Sequence, residues 1–253
     1  MLLSEQWVLV TGGARGLGAA ITRALLREGA GVVVNYRNSE TQAHALREEF
    51  GERVLPLRAD VTDADAVARL FDSAQAQTGQ PITSVVNNAL ADFQFDGDAR
   101  PSLDTIDWAR FQQQLDGSLK GALNTMQAAA AGMRSRKFGR IVNVGTNLFQ
   151  NPVVPYHDYT AAKAALLSLT RTAAHDLGPD GITVNMVSGG LLRTTDASAA
   201  TPEFVFDLIA SSTPLRRVTT PEEFADAVLF FLSPWARAVT GQNLIVDGGL
   251  VKG

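Results

Sequence analysis

The sequence Thr11-Gly12-Gly13-Ala14-Arg15-Gly16-Leu17-Gly18 decides the fold class of this chain. It follows a short apolar run, Trp7–Val10, and opens a stretch of helical periodicity that ends before Gly29. In such a turn one glycine permits the tight bend, another lets the backbone approach a pyrophosphate, and a third lets the helix pack on the strand. The N–H groups at the start of the helix then stabilise the phosphates. A flexible turn is the alternative, but the flanking strand and helix favour a dinucleotide site.

The rest of the chain repeats this alternation of strand and helix. Further strands are predicted at residues 32–35, 54–57, 85–86, 141–144, 182–185 and 244–246, and longer helices at residues 40–50, 108–133 and 159–177. Alternation predicts parallel pairing with right-handed crossovers, and strands that are apolar throughout predict helices on both faces. We therefore predict an α/β fold with a doubly wound, parallel, seven-stranded Rossmann sheet, forming one domain over residues 1–253.

Three local features add detail to this prediction. Pro56 cannot donate a hydrogen bond to a neighbouring strand, so the third strand is expected at an edge of the sheet. Thr62 is expected to cap the helix that follows. The irregular segments 90–101 and 189–202 are long for a compact domain, which is typical of functional loops.

Composition and charge exclude several classes of protein. Hydrophobic residues make up 45% of the chain, charged residues 19%, and the net charge is −4, so there is no basic surface for nucleic acid. The absence of cysteine excludes disulfides, thiolate catalysis and cysteine-ligated zinc. We find neither a basic leader nor an apolar run of about 18 residues, and we expect a cytoplasmic protein without a membrane span.

The end of the second strand determines which dinucleotide is favoured. A carboxylate there would bind the ribose 2′-hydroxyl of NAD and repel the 2′-phosphate of NADP. The chain has Asn35, Tyr36 and Arg37 instead, and Arg37 and Arg15 offer two guanidinium groups to a phosphate dianion. Both could also be ordinary surface arginines. We predict NADP(H) as the cofactor, held also by Gly12, Gly16, Leu17 and Gly18.

Two further strand ends carry polar residues where ligands of doubly wound folds bind. Asp60 and the adjacent Val61 follow the third strand, and the carboxylate could accept a hydrogen bond from the adenine amino group or simply start a helix. Asn88 and Ala89 follow the fourth strand, where an asparagine either contacts the cofactor or ties neighbouring strands together.

A candidate proton donor lies in the last predicted long helix. Tyr159 and Lys163 are four residues apart, so on a helix they share one face. A free phenol has a pKa of about 10, and a nearby ammonium group would lower it. The phenol could then donate a proton to a carbonyl as hydride arrives. Such a pair also arises by chance, and its context here is a strand that ends at Thr146 followed by a loop containing proline.

Taken in order, these motifs resemble those of the short-chain dehydrogenase/reductase family over essentially the whole chain, and most of all the 3-oxoacyl-[acyl-carrier-protein] reductases. The matching segments are the glycine turn, Asn87-Asn88-Ala89, Tyr159-x-x-x-Lys163, Thr240-Gly241-Gln242 and Asp247-Gly248-Gly249. The resemblance implies the strand order 3-2-1-4-5-6-7, commonly a homotetramer, and hydride transfer between NADP(H) and a carbonyl or secondary alcohol.

The resemblance also implies roles for individual residues. Tyr159 would be the acid/base, and Lys163 would hold the nicotinamide ribose. Matches to the segment that contacts the nicotinamide carboxamide are found at Gly190, Leu192 and Thr194.

Four positions depart from the family pattern around one pocket. Thr146 stands where the family has its substrate-orienting serine, and Ser118 where it has an asparagine that anchors a water in the proton relay. Leu90 and Gly189 replace a glycine and a proline. The alternative to an enzyme is therefore an NADP(H)-binding sensor or assembly subunit without turnover.

The resemblance favours a 3-oxoacyl thioester as substrate and acyl-carrier protein as a possible partner. Docking of that acidic protein needs positive charge, which Arg134, Arg136 and Lys137 could supply, although they could equally be a solvated helix end. Asp180 stands where a basic residue is typical of carrier-dependent members. A free ketone, a sugar or a coenzyme A ester remains open. We expect a substrate lid over residues 189–212, or packing of its short helix on the core.

Overall fold

The computed structural model describes residues 1–90, 93, 95, 99–193 and 195–252. Its seven strands form one parallel sheet in the order β3-β2-β1-β4-β5-β6-β7, as predicted. The strands are β1 Trp7–Val10, β2 Gly31–Tyr36, β3 Val54–Arg58, β4 Ser84–Asn87, β5 Gly139–Thr146, β6 Ile182–Gly189 and β7 Asn243–Val246. The helices are α1 Gly16–Arg27, α2 Glu40–Phe50, α3 Ala64–Thr78, α4 Trp108–Gln114, α5 Gly121–Arg136, α6 His157–Leu177, α7 Glu203–Ser212 and α8 Pro221–Leu232.

Alternate residues of each strand build two cores, one on each face of the sheet. In β1, Val8 and Val10 pack with buried residues of α1, α2 and α8, whereas Leu9 packs with those of α3, α5 and α6. Successive side chains of a strand point to opposite faces, so a strand covered on both sides is apolar at every position. The predicted fold class, with helices on both faces, is therefore confirmed.

The structure tests two local predictions, the edge position of the strand that contains Pro56 and the helix cap at Thr62. Pro56 lies in β3, which is one of the two edge strands of the sheet, as expected. The prediction that Thr62 caps the next helix is wrong. The carboxylate of Asp63 is the cap and accepts hydrogen bonds from the N–H groups of Asp65 and Ala66, at 2.9 and 3.1 Å. A charged acceptor gains more from the helix dipole there, and the Thr62 hydroxyl donates to Asp60 instead.

The helix predicted at residues 108–133 is interrupted. Between α4 and α5 the backbone forms a π-helix over Leu115–Lys120, in which Gly117 and Ser118 are buried. Apolar periodicity cannot reveal one widened turn, because the pattern continues on either side of it. Strand β5 ends at Thr146, as expected, and β6 runs further than predicted, to Gly189, so both residues lie at the carboxyl edge of the sheet.

Candidate active site

The glycine turn after β1 is built so tightly that no side chain fits at its end. A Cβ atom placed on Gly18 would lie 2.1 Å from the carbonyl oxygen of Gly12 and 2.7 Å from Nδ2 of Asn88. Gly12 and Gly16 have φ angles of +61° and +52°, which side-chain-bearing residues rarely adopt. The turn therefore has no room for a side chain between Gly18, Gly12 and Asn88, while its backbone remains accessible to a ligand from the cavity.

The turn opens into a cavity of about 1060 Å³ along the carboxyl ends of the strands. Most of the predicted site residues line this cavity: Gly12, Arg15, Gly16, Leu17, Gly18, Asn35, Tyr36, Arg37, Asp60, Val61, Asn88, Ala89, Thr146, Tyr159, Lys163, Gly190 and Leu192. Thr194 lies outside the described residues. Ser118 is not among the described lining residues: it is 4% exposed in the π-helix, and its hydroxyl has no hydrogen-bond partner there.

The asparagines at the strand ends join neighbouring strands. Asn88 donates from its backbone N–H to the Thr11 hydroxyl and from its side chain to the Thr11 carbonyl oxygen, both at 2.9 Å. Asn35 donates from Nδ2 to the carbonyl oxygen of Ala59 at 2.9 Å and accepts at Oδ1 from the N–H of Gly12 at 3.4 Å. Both asparagines therefore shape the cavity wall through strand ties, which was one of the two roles considered for Asn88.

Two residues expected to contact separate parts of the cofactor lie next to each other. A guanidinium nitrogen of Arg37 is 3.7 Å from a carboxylate oxygen of Asp60. Burial would raise the pKa of Asp60, but hydrogen bonds from the Thr62 backbone and hydroxyl and the charge of Arg37 outweigh it and hold that pKa below its usual range. This end of the cavity thus carries a cation and an ionised carboxylate side by side.

Tyr159, Lys163 and Thr146 meet at the other end of the cavity and are all buried. The Thr146 hydroxyl faces the phenol of Tyr159 and acts to lower its pKa. The ammonium of Lys163 donates to the carbonyl oxygen of Val144 at 2.8 Å and lies 5.8 Å from the centre of the Tyr159 ring. Helical spacing places Tyr159 and Lys163 on one face of α6, and the end of β5 brings Thr146 to them.

Burial has the largest effect on the pKa values of Tyr159 and Lys163. It raises the pKa of Tyr159 to about 12, against the opposite effect of the Thr146 hydrogen bond, and lowers the pKa of Lys163 to about 8. The expectation that Lys163 lowers the pKa of Tyr159 is therefore wrong for the protein alone, because both groups lose water on folding. The phenol stays protonated at neutral pH, while the lysine is near its titration point.

The pKa shift of Lys163 predicts how the stability of the protein depends on pH. The pKa of Lys163 falls from 10.5 to about 8 on folding, so between these values the unfolded chain binds more protons than the folded chain. We expect the free energy of unfolding to rise with pH in this window, by about 1.4 kcal/mol for each unit of pKa shift. Urea unfolding of the parent and of Lys163→Met measures this contribution. Parallel curves for the two proteins between pH 8 and 10.5 would contradict it.

A buried hydrogen bond that the sequence analysis did not predict holds the side chain of Asn147, the residue after Thr146. Nδ2 of Asn147 donates to a carboxylate oxygen of Asp247 at 2.8 Å, and that carboxylate also accepts from the backbone N–H groups of Gly249 and Val251, each at 3.0 Å. The Asp247-Gly248-Gly249 motif was the available signal. Its partner lies 100 positions away in the sequence, so local patterns could not identify it.

The segment after β6 packs on the core, as one of its two predicted roles requires, and also borders the cavity. Phe206 is buried, and the guanidinium of Arg193 lies 5.1 Å from its ring centre, so this part of α7 packs on the protein. Phe204 and Ile209 line the cavity from the same helix, while Leu208 is exposed. One face of α7 therefore packs and another borders the site.

The basic cluster near the end of α5 is largely neutralised. Asp180 lies 3.0 Å from Arg134 and 2.6 Å from Lys137, and these contacts hold its pKa below the usual range. Little positive charge is left there for an acidic partner. Among the described residues, no helix combines the length and apolar character needed to cross a membrane.

Comparisons with known proteins place the chain in a family. The family model described as "Enoyl-(Acyl carrier protein) reductase" matches residues 12–251. The cis-4-hydroxycyclohexanecarboxylate dehydrogenase of Sinomonas cyclohexanicum is 36% identical over 248 residues, covering 97% of this chain and 96% of that protein. A 3-oxoacyl-[acyl-carrier-protein] reductase of Staphylococcus aureus is 32% identical over 250 residues, covering 96% of each chain.

A solved structure agrees with this placement. The gluconate 5-dehydrogenase of Burkholderia cenocepacia, determined in complex with NADP and tartrate, superposes with a TM-score of 0.86 at 30% identity, covering 97% of this chain and 94% of that one. Family model, sequence relatives and structural neighbour all extend over nearly the whole chain. The protein is therefore an oxidoreductase of the short-chain dehydrogenase/reductase family that uses a nicotinamide cofactor.

Proposed function

We propose that this protein is an NADP(H)-dependent oxidoreductase that interconverts a carbonyl compound and the corresponding secondary alcohol. The observation that carries the proposal is the meeting of Tyr159, Lys163 and Thr146 in the same cavity that the glycine turn opens into. A proton donor and an anion-binding turn are the two parts that such a reaction requires of the protein.

The residues at the turn fit a dinucleotide. The close approach of Gly18 to Gly12 leaves only backbone at the start of α1, where N–H groups can bind a pyrophosphate. We propose that Arg15 and Arg37, which line the cavity nearby, hold the 2′-phosphate of NADP(H), and that Gly190 and Leu192 border the nicotinamide. When bound, the cofactor supplies or accepts the hydride.

The remaining chemistry belongs to the buried trio. Tyr159 stays protonated at neutral pH and donates its proton to the carbonyl oxygen of the substrate during reduction, while the Thr146 hydroxyl positions that oxygen. Lys163 keeps two donors beyond its bond to Val144, which can hold ribose hydroxyls. Ser118 offers its unpartnered hydroxyl to a water of the proton relay.

The preference for NADP(H) gives a prediction at Arg37. We expect Arg37→Ala to raise the Kd of NADPH about 10- to 100-fold, because a charge-assisted hydrogen bond is lost and Asp60 is left beside the phosphate. The Kd of NADH should change little. Isothermal titration with both cofactors measures the difference, with Arg69→Ala on the exposed face of α3 as control. Equal weakening of both cofactors would argue against this role.

Two substrates have support. The resemblance favours a 3-oxoacyl thioester, and the 3-oxoacyl-[acyl-carrier-protein] reductase relative supports it. Recognition of acyl-carrier protein has weaker support, because two carboxylates, Asp176 and Asp180, offset the charges of Arg134 and Lys137. The second candidate is an alicyclic alcohol or ketone, which the relative acting on cis-4-hydroxycyclohexanecarboxylate favours.

NADPH consumption with acetoacetyl thioesters, simple ketones, cyclic ketones and sugars tests the proposed function. Oxidation of NADPH by at least one carbonyl compound supports it. Tight NADPH binding without turnover on any of them would favour the alternative, a cofactor-binding sensor or assembly subunit.

We also propose that the chain acts as a single domain over residues 1–253 and assembles as a homotetramer. Large apolar side chains exposed on α4, after α8 and on β7 support the assembly: Trp108, Trp235 and Leu244. The mass of the protein in solution tests it.

A further inference from the structure

Two phenylalanines of the irregular segment 90–101 stand beside the phenol. The ring of Phe93 stacks on that of Tyr159, with centroids 4.5 Å apart and planes inclined by 16°. The ring of Phe95 is edge-on to both, with centroids 5.0 Å from Phe93 and 5.6 Å from Tyr159. Tyr156 packs edge-on against Phe93 at 5.2 Å. We call the pair Phe93 and Phe95 the aromatic corner.

The aromatic corner is held in place from several sides. The backbone N–H of Phe95 donates to the carbonyl oxygen of Ala197 at 3.1 Å, which ties the corner to the segment after β6. Both rings line the main cavity, and Phe93 also lines a smaller neighbouring cavity of about 260 Å³. Phe93 therefore separates the two cavities and borders the space next to Tyr159.

The rest of the cavity near the phenol suits an uncharged, apolar molecule. Aliphatic side chains contribute much of the wall: Leu148, Val153, Val154, Leu191, Val205 and Ile209. Among the described lining residues the cations are Arg15, Arg37 and Lys163, and the two arginines belong to the dinucleotide end. Asp116 adds a negative charge. Lys163 is assigned to the Val144 carbonyl oxygen and to the cofactor ribose, so the described wall offers no further cation for a carboxylate or phosphate on the substrate, and a ring that carries no carboxylate is favoured.

We infer that Phe93 and Phe95 determine substrate specificity, and that the aromatic corner favours a ketone or secondary alcohol carried on a ring over an open-chain one. The inference rests on the proposed function of the same site. A ring contacts two perpendicular aromatic surfaces in one rigid geometry. A chain with the same number of carbons must lose rotamer freedom to make the same contacts. Of the two supported substrates, the alicyclic one is therefore preferred.

Matched ketones test this preference in the intact protein. Cyclohexanone and hexan-2-one have equal carbon numbers, as do acetophenone and octan-2-one, so each pair differs mainly in the ring. We expect the parent to show a higher kcat/KM for the ring member of each pair. Phe93→Ala should lower the ring-to-chain ratio of kcat/KM for both pairs, by about two- to tenfold for the acetophenone pair, the size of a lost contact between two aromatic rings.

Three further variants distinguish the effect of an aromatic ring at position 93 from the effects of apolar volume there and of a phenylalanine elsewhere in the cavity. Phe93→Tyr keeps the ring and should keep the ratio. Phe93→Leu keeps apolar volume without a ring, and its ratio should fall as it does in Phe93→Ala. Phe204→Ala removes a phenylalanine from the same cavity that is 69% exposed and makes no described ring contact with Tyr159, and it should leave the ratio unchanged.

Several results would overturn the inference while leaving the proposed function intact. They are a parent that prefers the open-chain ketones or reduces only acyl thioesters, a ratio unchanged in both Phe93→Ala and Phe93→Leu, and an equal fall in Phe204→Ala. A parent that consumes NADPH with none of these carbonyl compounds overturns the proposed function, and the inference with it.

Discussion

Replacement of Tyr159 by phenylalanine is expected to lower kcat for carbonyl reduction about 10³-fold, within the range that general acid catalysis contributes. The phenol is buried and protonated at neutral pH, so it is able to donate a proton, whereas the ammonium of Lys163 donates to the carbonyl oxygen of Val144. Tyr159→Phe removes that proton and keeps the ring that stacks on Phe93. Stopped-flow or steady-state NADPH oxidation with a carbonyl substrate measures the loss.

Cofactor binding distinguishes this prediction from a general loss of structure. The Kd of NADPH should stay within about threefold of the parent value, because no predicted phosphate contact changes. Tyr36→Phe is a matched control, since that ring also lines the cavity but at the end of β2. If Tyr159→Phe retains most of its kcat, the acid/base assignment is wrong.

Gly18→Ala is expected to raise the Kd of NADPH about 100-fold. The new Cβ would lie 2.1 Å from the Gly12 carbonyl oxygen and 2.9 Å from its carbon, and these backbone atoms cannot rotate away. The turn must therefore shift with respect to α1, and a displacement of about 1 Å in a binding site can cost two orders of magnitude. Overpacking should also lower the free energy of unfolding by about 1–3 kcal/mol. Calorimetric titration and urea unfolding measure the two effects.

The matched control is Gly178→Ala. Gly178 has a φ angle of −54°, and a Cβ there would meet no atom within 4 Å. That variant should keep both its affinity for NADPH and its stability, or become slightly more stable because alanine restricts the unfolded chain. Unchanged NADPH binding in Gly18→Ala would show that the turn does not hold the pyrophosphate.

The sequence was sufficient for the features that depend on local order. Alternation of apolar runs and helical stretches predicted the parallel sheet, because each unit of strand and helix encodes its own geometry within about 30 residues. Helical spacing likewise predicted that Tyr159 and Lys163 share a face, and the glycine pattern after β1 predicted the closed turn.

The burial and the contacts of those residues depend on the folded structure and could not be predicted from local sequence. The pKa values of Tyr159 and Lys163 depend on how much water the surrounding chain removes, and the first moves opposite to the predicted direction. The π-helix that buries Ser118 depends on packing between elements rather than on periodicity.

The aromatic corner shows the same division between local and long-range information. Its two rings, Phe93 and Phe95, pack against Tyr156 and Tyr159, which are more than 60 positions away in the sequence. Local periodicity carries no record of which distant side chains will touch. The sequence alone therefore predicted the fold and pointed to the candidate reacting groups, whereas the contacts that set their ionisation exist only once the chain has folded.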